Sequence, residues 1–195
     1  MRFSCLVAAA CVACSFPAFA GITIHFKGSV VDDASVEKIA DAACMEAQKN
    51  SWQCKPVAGE EIARLDGITA KSIARIENST DLSKVKGVVV LMHEMSEPLY
   101  LVFGPSRRID NFVKTQFAGA TVHVHAVELL QKLKPFFATL EVMDEGGYWE
   151  TKDRSKLEQE LEAVQTMMAN IKSKRTDVQG PVKRADGRIL DLVGR

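Results

Sequence analysis

Residues 144–150 have the composition most typical of a functional site in this chain: three carboxylates and two aromatic rings surround a pair of glycines. Paired carboxylates can transfer protons or hold a cation, and Tyr and Trp are frequent contact residues of interfaces. The segment lacks the ligand spacing of an EF-hand. A structural turn is the competing interpretation, because acids that precede a helix N-terminus are favoured by the helix dipole. We expect a binding surface here, formed by Asp144, Glu145, Tyr148, Trp149 and Glu150.

His123 and His125 are a second candidate, since imidazole is a common metal ligand. On a strand the two rings would share a face and could bind a metal, with His25 or His93 as a third ligand. On a helix they would point about 200° apart and could not chelate together. The apolar residues between 122 and 133 keep a helical period, which favours the helix. We therefore expect no metal site, an exposed His123, and His125 beside the apolar stripe.

Two further segments could carry chemistry. His93 and Glu94 end an apolar run, where a histidine beside a carboxylate could act as a general base, but neighbours on a strand face opposite ways. Arg107 and Arg108 follow a Gly-Pro-Ser turn and could bind an anion, although the turn lacks the glycine pattern of a phosphate loop. The chain has no G-x-S-x-G nucleophile motif. We expect no cofactor and assign no catalytic residue.

The first 20 residues predict export. Arg2 gives a positive start, residues 3–16 are mostly apolar, and residues 18–20 are Ala-Phe-Ala, the small–x–small pattern that signal peptidase cuts. We expect residues 1–20 to be a signal peptide and the mature chain to begin at Gly21, in the periplasm or outside the cell. A cut before Cys11 that leaves a lipid-anchored chain is the alternative.

The cysteines fit an exported protein. Cys5, Cys11 and Cys14 lie in the predicted signal peptide, so that Cys44 and Cys54 remain. Two cysteines in an oxidising compartment predict one disulfide. Helical spacing places Cys44 beside an apolar stripe and Cys54 on the following strand, which brings the pair within reach of each other.

Charge and hydropathy exclude some partners. The chain has 25 basic and 25 acidic side chains, and loss of Arg2 leaves a mature net charge of about −1. General binding to nucleic acid or to an anionic membrane requires a basic surplus, so neither is expected. After residue 20 no apolar run is long enough for a transmembrane anchor.

Periodicity and turn residues predict helices packed on a sheet. Apolar alternation, capping residues and glycine or proline breaks mark the elements. Residues 58–84 are the least legible, with short helices at 60–65 and 69–77. The predicted strands are 22–26, 52–54, 88–92, 99–103 and 139–143, and the longer helices are 33–50, 121–133 and 157–171.

This order predicts an α+β fold, a mixed β-sheet packed against helices as a two-layer sandwich. The continuous apolar run at 88–92 is expected to be a central strand buried on both faces. Residues 21–175 would form a single domain, and residues 176–195 a polar C-terminal tail or edge strand.

The function class that fits these features is a small exported binding protein whose partner is another protein or a cell-envelope component. Inhibitors of envelope hydrolases and immunity proteins are of this size and kind, a likeness of class and not of residues. The alternative is a small hydrolytic or metal-assisted enzyme that uses the acidic and histidine side chains. A third is a cytosolic-type domain that acquired export. The enzyme requires its candidate residues to meet in one pocket: Asp144, Glu145, His93, His123 and His125.

Overall fold

A computed structural model of the chain describes residues 21–194. The predicted signal peptide and its three cysteines lie outside the described residues. The strands are β1 (Thr23–Ser29), β2 (Gln53–Ala58), β3 (Lys86–Leu91), β4 (Leu99–Phe103), β5 (Arg108–Lys114), β6 (Thr139–Asp144), β7 (Val178–Gln179), β8 (Val182–Lys183), β9 (Ile189–Leu190) and β10 (Val193–Gly194). The helices are α1 (Asp33–Lys49), α2 (Glu61–Leu65), α3 (Gly67–Glu77), α4 (Ala120–Leu133), α5 (Tyr148–Thr151) and α6 (Arg154–Lys174).

The α+β class is confirmed, with 43% helix and 26% strand in a single domain. The strands pair differently from the prediction. The first sheet has the order β5-β1-β6 and the second the order β2-β3-β4, and every pairing in the described residues is antiparallel. The structure thus divides the predicted sheet into antiparallel sheets, and it adds β5, which the sequence pattern does not indicate, beside β1.

The sequence pattern does not predict strand β5 because several of its residues are polar. Ile109, Asn111 and Val113 are all buried on one face of the strand, so its burial alternates as expected of a half-buried strand. The middle position is an asparagine, which interrupts the apolar alternation that a sequence pattern relies on. The Asn111 side chain is tolerated there because it is hydrogen-bonded to Thr69 and Tyr100.

The main core lies between the sheets and two helices. Helices α1 and α4 contribute their apolar stripes, and β1, β3, β4 and β5 contribute the facing side chains. Helices α2 and α3 cover the opposite face of the second sheet and enclose a smaller core. Strand β4 is consequently buried at all of its positions, whereas Val89 of β3 is only half-buried. The expectation of a doubly buried strand at 88–92 thus fits the neighbouring strand instead.

Aspartates cap two of the three long helices, and the cap of α1 is the one that the sequence predicts. Asp32 precedes α1 and accepts a hydrogen bond from the Ser35 N–H at 2.8 Å. Asp153 does the same for α6 through the Lys156 N–H at 3.1 Å. Helix α4 begins one residue before the predicted Thr121.

The predicted Cys44–Cys54 disulfide is confirmed. It joins the last turns of α1 to β2, with the two Cα atoms 5.4 Å apart. It therefore fixes the outer strand of the second sheet to the helix that covers it.

The C-terminal segment folds back on the domain as two small ladders, β7 with β10 and β8 with β9. Gln116 and Lys114 both bond Asp191 of this segment, at 2.8 Å and 2.9 Å. Within residues 21–194, no helix combines the length and apolar character that crossing a membrane requires.

Candidate functional site

The predicted binding segment begins with Asp144, whose carboxylate is hydrogen-bonded to the backbone of the same segment. Asp144 ends β6 and is 8% exposed. Its Oδ1 accepts the Gly146 N–H and its Oδ2 accepts the Trp149 N–H, each at 2.8 Å. Asp144 thus closes the turn after β6 and caps the short helix α5, as the structural interpretation of this segment requires.

Asp144 also contacts His123, whose Nε2 lies 2.9 Å from Oδ1. Nε2 nevertheless has no satisfied hydrogen bond within the described residues, so the structure shows a close approach of the imidazole to the carboxylate. Burial raises the pKa of Asp144 most strongly, but His123 and the amide donors together outweigh burial and lower this pKa below its usual value. Asp144 is therefore held as a carboxylate.

His123 is wholly buried, which corrects the expectation that it is exposed. Helix α4 has a second packing face, because α5 and α6 lie against the side that faces away from the sheets. The Nδ1 atom pairs with Thr115 Oγ1 at 2.8 Å. Thr115, His123 and Asp144 therefore form a hydroxyl–imidazole–carboxylate chain, but Thr115 and His123 are 0% exposed, so no substrate reaches it.

Gly146 is required at this turn for lack of space. A Cβ atom there would lie 2.6 Å from a Leu157 methyl group and 3.1 Å from the His123 ring. The backbone of the turn therefore packs directly on the buried imidazole.

The two aromatic residues of the segment are half-buried. Trp149 packs against the main core, and Tyr148 contacts both the main core and the cluster under α6. Lys152 lies over both rings, with its Nζ 5.3 Å from the Trp149 centroid and 5.5 Å from that of Tyr148. Glu150 is exposed. Part of each ring and the exposed Glu150 side chain remain accessible to a partner.

Glu145 connects this segment to the outer face of the first sheet. Its Oε2 accepts the Thr23 N–H at 2.8 Å, and its Oε1 lies 3.6 Å from His25 Nε2. Next to it, Met143 is 60% exposed and pairs in register with His25. A shallow concavity of about 350 Å³ on this face is lined by side chains of β1, β5 and β6.

Strand β6 also has an open edge, since its one neighbour in the described sheets is β1. The Glu145 N–H donates to Thr23 O at 3.1 Å. Ladder bonds alternate along an antiparallel strand, so the N–H groups of Leu140 and Val142 point away from β1. These groups are available to another strand.

The other outer strands are protected. Strand β2 carries Lys55 and Pro56, and both charge and proline discourage strand addition. Strands β4 and β5 lie side by side, where Asn111 Nδ2 donates to Tyr100 O at 3.4 Å. Among the outer strands of the two described three-stranded sheets, β6 has neither a proline nor a second neighbour, and the charge of its exposed Glu141 is paired with Lys27 of β1 at 2.9 Å.

The remaining candidate residues do not meet. His93 is exposed, lies in the turn after β3 and accepts the Met95 N–H on its Nδ1. His125 stacks against Trp52, with ring centroids 5.2 Å apart. In residues 21–194 no three histidine, cysteine or acidic side chains are grouped as metal ligands. The convergence that the enzyme alternative needs is limited to the buried His123–Asp144 contact.

The turn before Arg107 and Arg108 binds a carboxylate of the chain itself, that of Glu77. The Ser106 N–H donates to both carboxylate oxygens of Glu77, at 3.2 and 3.1 Å, and its hydroxyl donates at 2.5 Å. Both arginines are exposed. The position that an external anion would occupy is therefore filled by the end of α3.

The most elaborate polar cluster of the structure involves residues that the sequence pattern does not single out. Arg188 is 2% exposed and donates to Asp66 Oδ2, at 2.5 and 3.1 Å, and to Glu97 Oε2 at 3.0 Å. It also donates to Asn111 Oδ1 at 3.1 Å, and its guanidinium lies 4.3 Å from the Phe112 centroid.

This cluster, called here the Arg188 cluster and comprising Arg188, Asp66, Glu97, Thr69 and Asn111, fixes the C-terminal segment beside β5. Burial raises the pKa of Asp66 most strongly, but the Arg188 bond and charge, with the Thr69 and Ile68 donors, lower it overall. Burial, with the nearby Asp66 charge, raises the pKa of Tyr100 to about 12. All five members are buried and paired, so the cluster is structural.

Comparisons with protein-family models, with curated proteins and with solved structures found no match to this chain. The function is therefore argued from the chain's own geometry.

Proposed function

We propose that this chain is an exported protein that acts by binding another protein along the open edge of β6. The observation that carries the proposal is that β6 lacks both a second neighbour in the described sheets and the proline or lysine protection seen on β2. Exposed edges of this kind accept an extended segment of a partner as an additional strand.

The surface around the edge adds side-chain contacts to such backbone pairing. Met143 offers a flexible apolar side chain, and the segment after β6 offers the accessible parts of Tyr148 and Trp149 together with Glu150. We call this surface the β6 edge surface: the outer groups of β6 with Glu145, Tyr148, Trp149 and Glu150. This surface includes the predicted binding residues except Asp144, whose role is to support the turn.

The test uses two methionines of equal exposure. Met143 on β6 and Met45 on α1 are both 60% exposed. Met143→Lys adds a charge to the edge and should weaken partner binding at least tenfold, whereas Met45→Lys should leave binding unchanged. Exposed substitutions of this kind leave the free energy of unfolding within about 0.5 kcal/mol.

The measurement is quantitative capture from cell-envelope extract with wild-type chain and both variants as baits, followed by affinity titration of the captured protein. A protein captured by wild type and Met45→Lys but lost with Met143→Lys supports the proposal. Equal capture by all three baits would show that the β6 edge is not part of the interface.

Trp149 separates binding from packing within the same surface. Because the ring is half-buried on the main core, Trp149→Ala should destabilise the protein by about 2–3 kcal/mol, less than a fully buried tryptophan. In the fraction that stays folded, partner affinity should also fall, by about 2 kcal/mol for a true anchor. Thermal unfolding and affinity titration on one preparation give both values, and an unchanged affinity would assign the ring to structure alone.

Export is part of the proposal. The Cys44–Cys54 bond supports an oxidising compartment, either the periplasm or the cell exterior. Mass spectrometry of the protein recovered from that compartment should give Gly21 as the first residue. An intact Met1 or a lipidated Cys11 would contradict the predicted cut.

A further inference from the structure

Gln116 carries a buried oxygen that lacks a hydrogen-bond donor. The side chain is 2% exposed, and its Nε2 donates to Asp191 Oδ1 at 2.8 Å. Within the described residues its Oε1 has no partner. Exchanging the two amide atoms would point an oxygen at the Asp191 carboxylate, so the contact with Asp191 fixes the orientation. An unpaired buried acceptor is rare and calls for a donor.

Gly21 is the residue packed against this oxygen. A Cβ atom on Gly21 would lie 2.1 Å from Oε1 and 2.8 Å from Nε2, so only glycine fits against the amide. Gly21 is itself buried, and its carbonyl oxygen accepts the Thr23 hydroxyl at 3.2 Å. It is also the residue at which the predicted signal peptidase cut would create a new α-amino group.

We propose that the α-ammonium group of Gly21 in the processed chain is the donor to Gln116 Oε1. The inference depends on the predicted cut after Ala20, which is part of the proposed export. A peptide N–H is a single donor fixed in the plane of its bond, whereas a terminal ammonium has three N–H groups and a charge, which strengthens the bond.

The proposed contact would extend an existing polar chain. The Asp191 carboxylate accepts hydrogen bonds from Gln116 Nε2, at 2.8 Å, and from Lys114 Nζ, at 2.9 Å. The Gly21 ammonium would thereby be connected through Gln116 to the C-terminal segment. Gly21, Gln116 and Asp191 also line a groove of about 520 Å³ between α6 and that segment. Signal peptide removal would therefore place a charged group in the wall of this groove.

The test uses chain prepared to begin at Gly21, so it does not depend on how cells process the precursor. One preparation keeps the free α-amine and the other is Nα-acetylated. Acetylation should lower the Tm by about 2–4 °C in wild type, the shift expected for loss of one hydrogen bond in a domain of this size. The same modification should change the Tm little in Gln116→Met or Gln116→Asn, which remove or withdraw the acceptor.

A chemical readout distinguishes this contact from burial alone. In native wild-type chain the Gly21 α-amine should react with acetic anhydride at least tenfold more slowly than in Gln116→Met, as measured by mass spectrometry of the N-terminal peptide. Equal reactivity in the two proteins, or an acetylation effect on Tm that persists in both Gln116 variants, would overturn the inference. A mass spectrum showing a different natural N-terminus would contradict the export proposal instead.

Discussion

At the scale of single residues, Arg188 is the side chain on which the buried charges depend. It is the shared partner of Asp66 and Glu97, which are 0% and 3% exposed. Arg188→Met should lower the free energy of unfolding by about 3–5 kcal/mol, because both carboxylates would remain buried without a cation. Arg184→Met, which removes an exposed pair with Asp186, should cost less than about 1 kcal/mol.

Urea unfolding of the two arginine variants measures this difference. Equal losses of stability would show that the Arg188 cluster is not the main support of the C-terminal segment. A change of slope with urea concentration in Arg188→Met would indicate that the segment detaches before the domain unfolds.

The lowered pKa of Asp66 predicts how stability depends on pH. Its folded pKa lies below the value of about 3.9 in the unfolded chain, so the unfolded state binds protons first as the pH falls. The stability from Asp66 is present above about pH 4 and is lost as the pH falls through the folded pKa. Asp66→Asn should therefore show a shallower loss of unfolding free energy below about pH 4 than wild type.

The measurement is urea unfolding at a series of pH values between 2 and 7, with Asp41→Asn on the exposed side of α1 as the control. The control should keep the wild-type slope. A wild-type slope in Asp66→Asn would mean that other carboxylates carry the acid dependence.

The chemistry-bearing residues were predictable from the sequence in type but not in arrangement. The composition at 144–150 predicts a turn, which the structure has, but it does not show that Asp144 also contacts His123 of α4. Asp66 resembles an ordinary turn residue, and its partner Arg188 lies 122 positions away. Local patterns contain no information on contacts of that separation.

At the scale of elements, the disulfide between α1 and β2 makes a quantitative prediction. It closes a loop of 10 residues between elements that already pack together. In the chain-entropy model, removing it through Cys44→Ala with Cys54→Ala should cost about 2–3 kcal/mol. Denaturant unfolding with and without a reducing agent checks this value. Reduction should lower the midpoint of wild type and leave the double variant unchanged, and an unshifted wild-type midpoint would contradict the prediction.

The elements that the sequence predicts well have strong periodicity and clear ends. Helices α1 and α6 have aspartate caps and apolar stripes, and the β3–β4 hairpin has two strongly apolar strands. Strand β5 does not fit an apolar pattern because Asn111 takes an inward position inside a polar cluster. Without β5 the strand order of the first sheet could not be predicted, since β5 is the second neighbour of β1.

At the scale of the whole molecule, the sequence limits the function without naming it. Balanced charge argues against nucleic acid, and the predicted export signal and the disulfide favour an envelope or secreted protein. The structure adds which strand edge is open, and this depends on how the sheets and helices assemble, which no local pattern contains. The binding proposal therefore rests on the assembled molecule.

Hydrogen exchange of the backbone amides, with and without the captured partner, tests the proposal most directly. Strand addition would hydrogen-bond the outward N–H groups of Leu140 and Val142, so these two amides should exchange at least tenfold more slowly in the complex. On β2, the Gly59 N–H bonds Val85 O, so the amides of Cys54 and Ala58 are the ones that face outward, and these should keep their rates. Protection confined to other surfaces, with unchanged exchange at Leu140 and Val142, would contradict binding along β6.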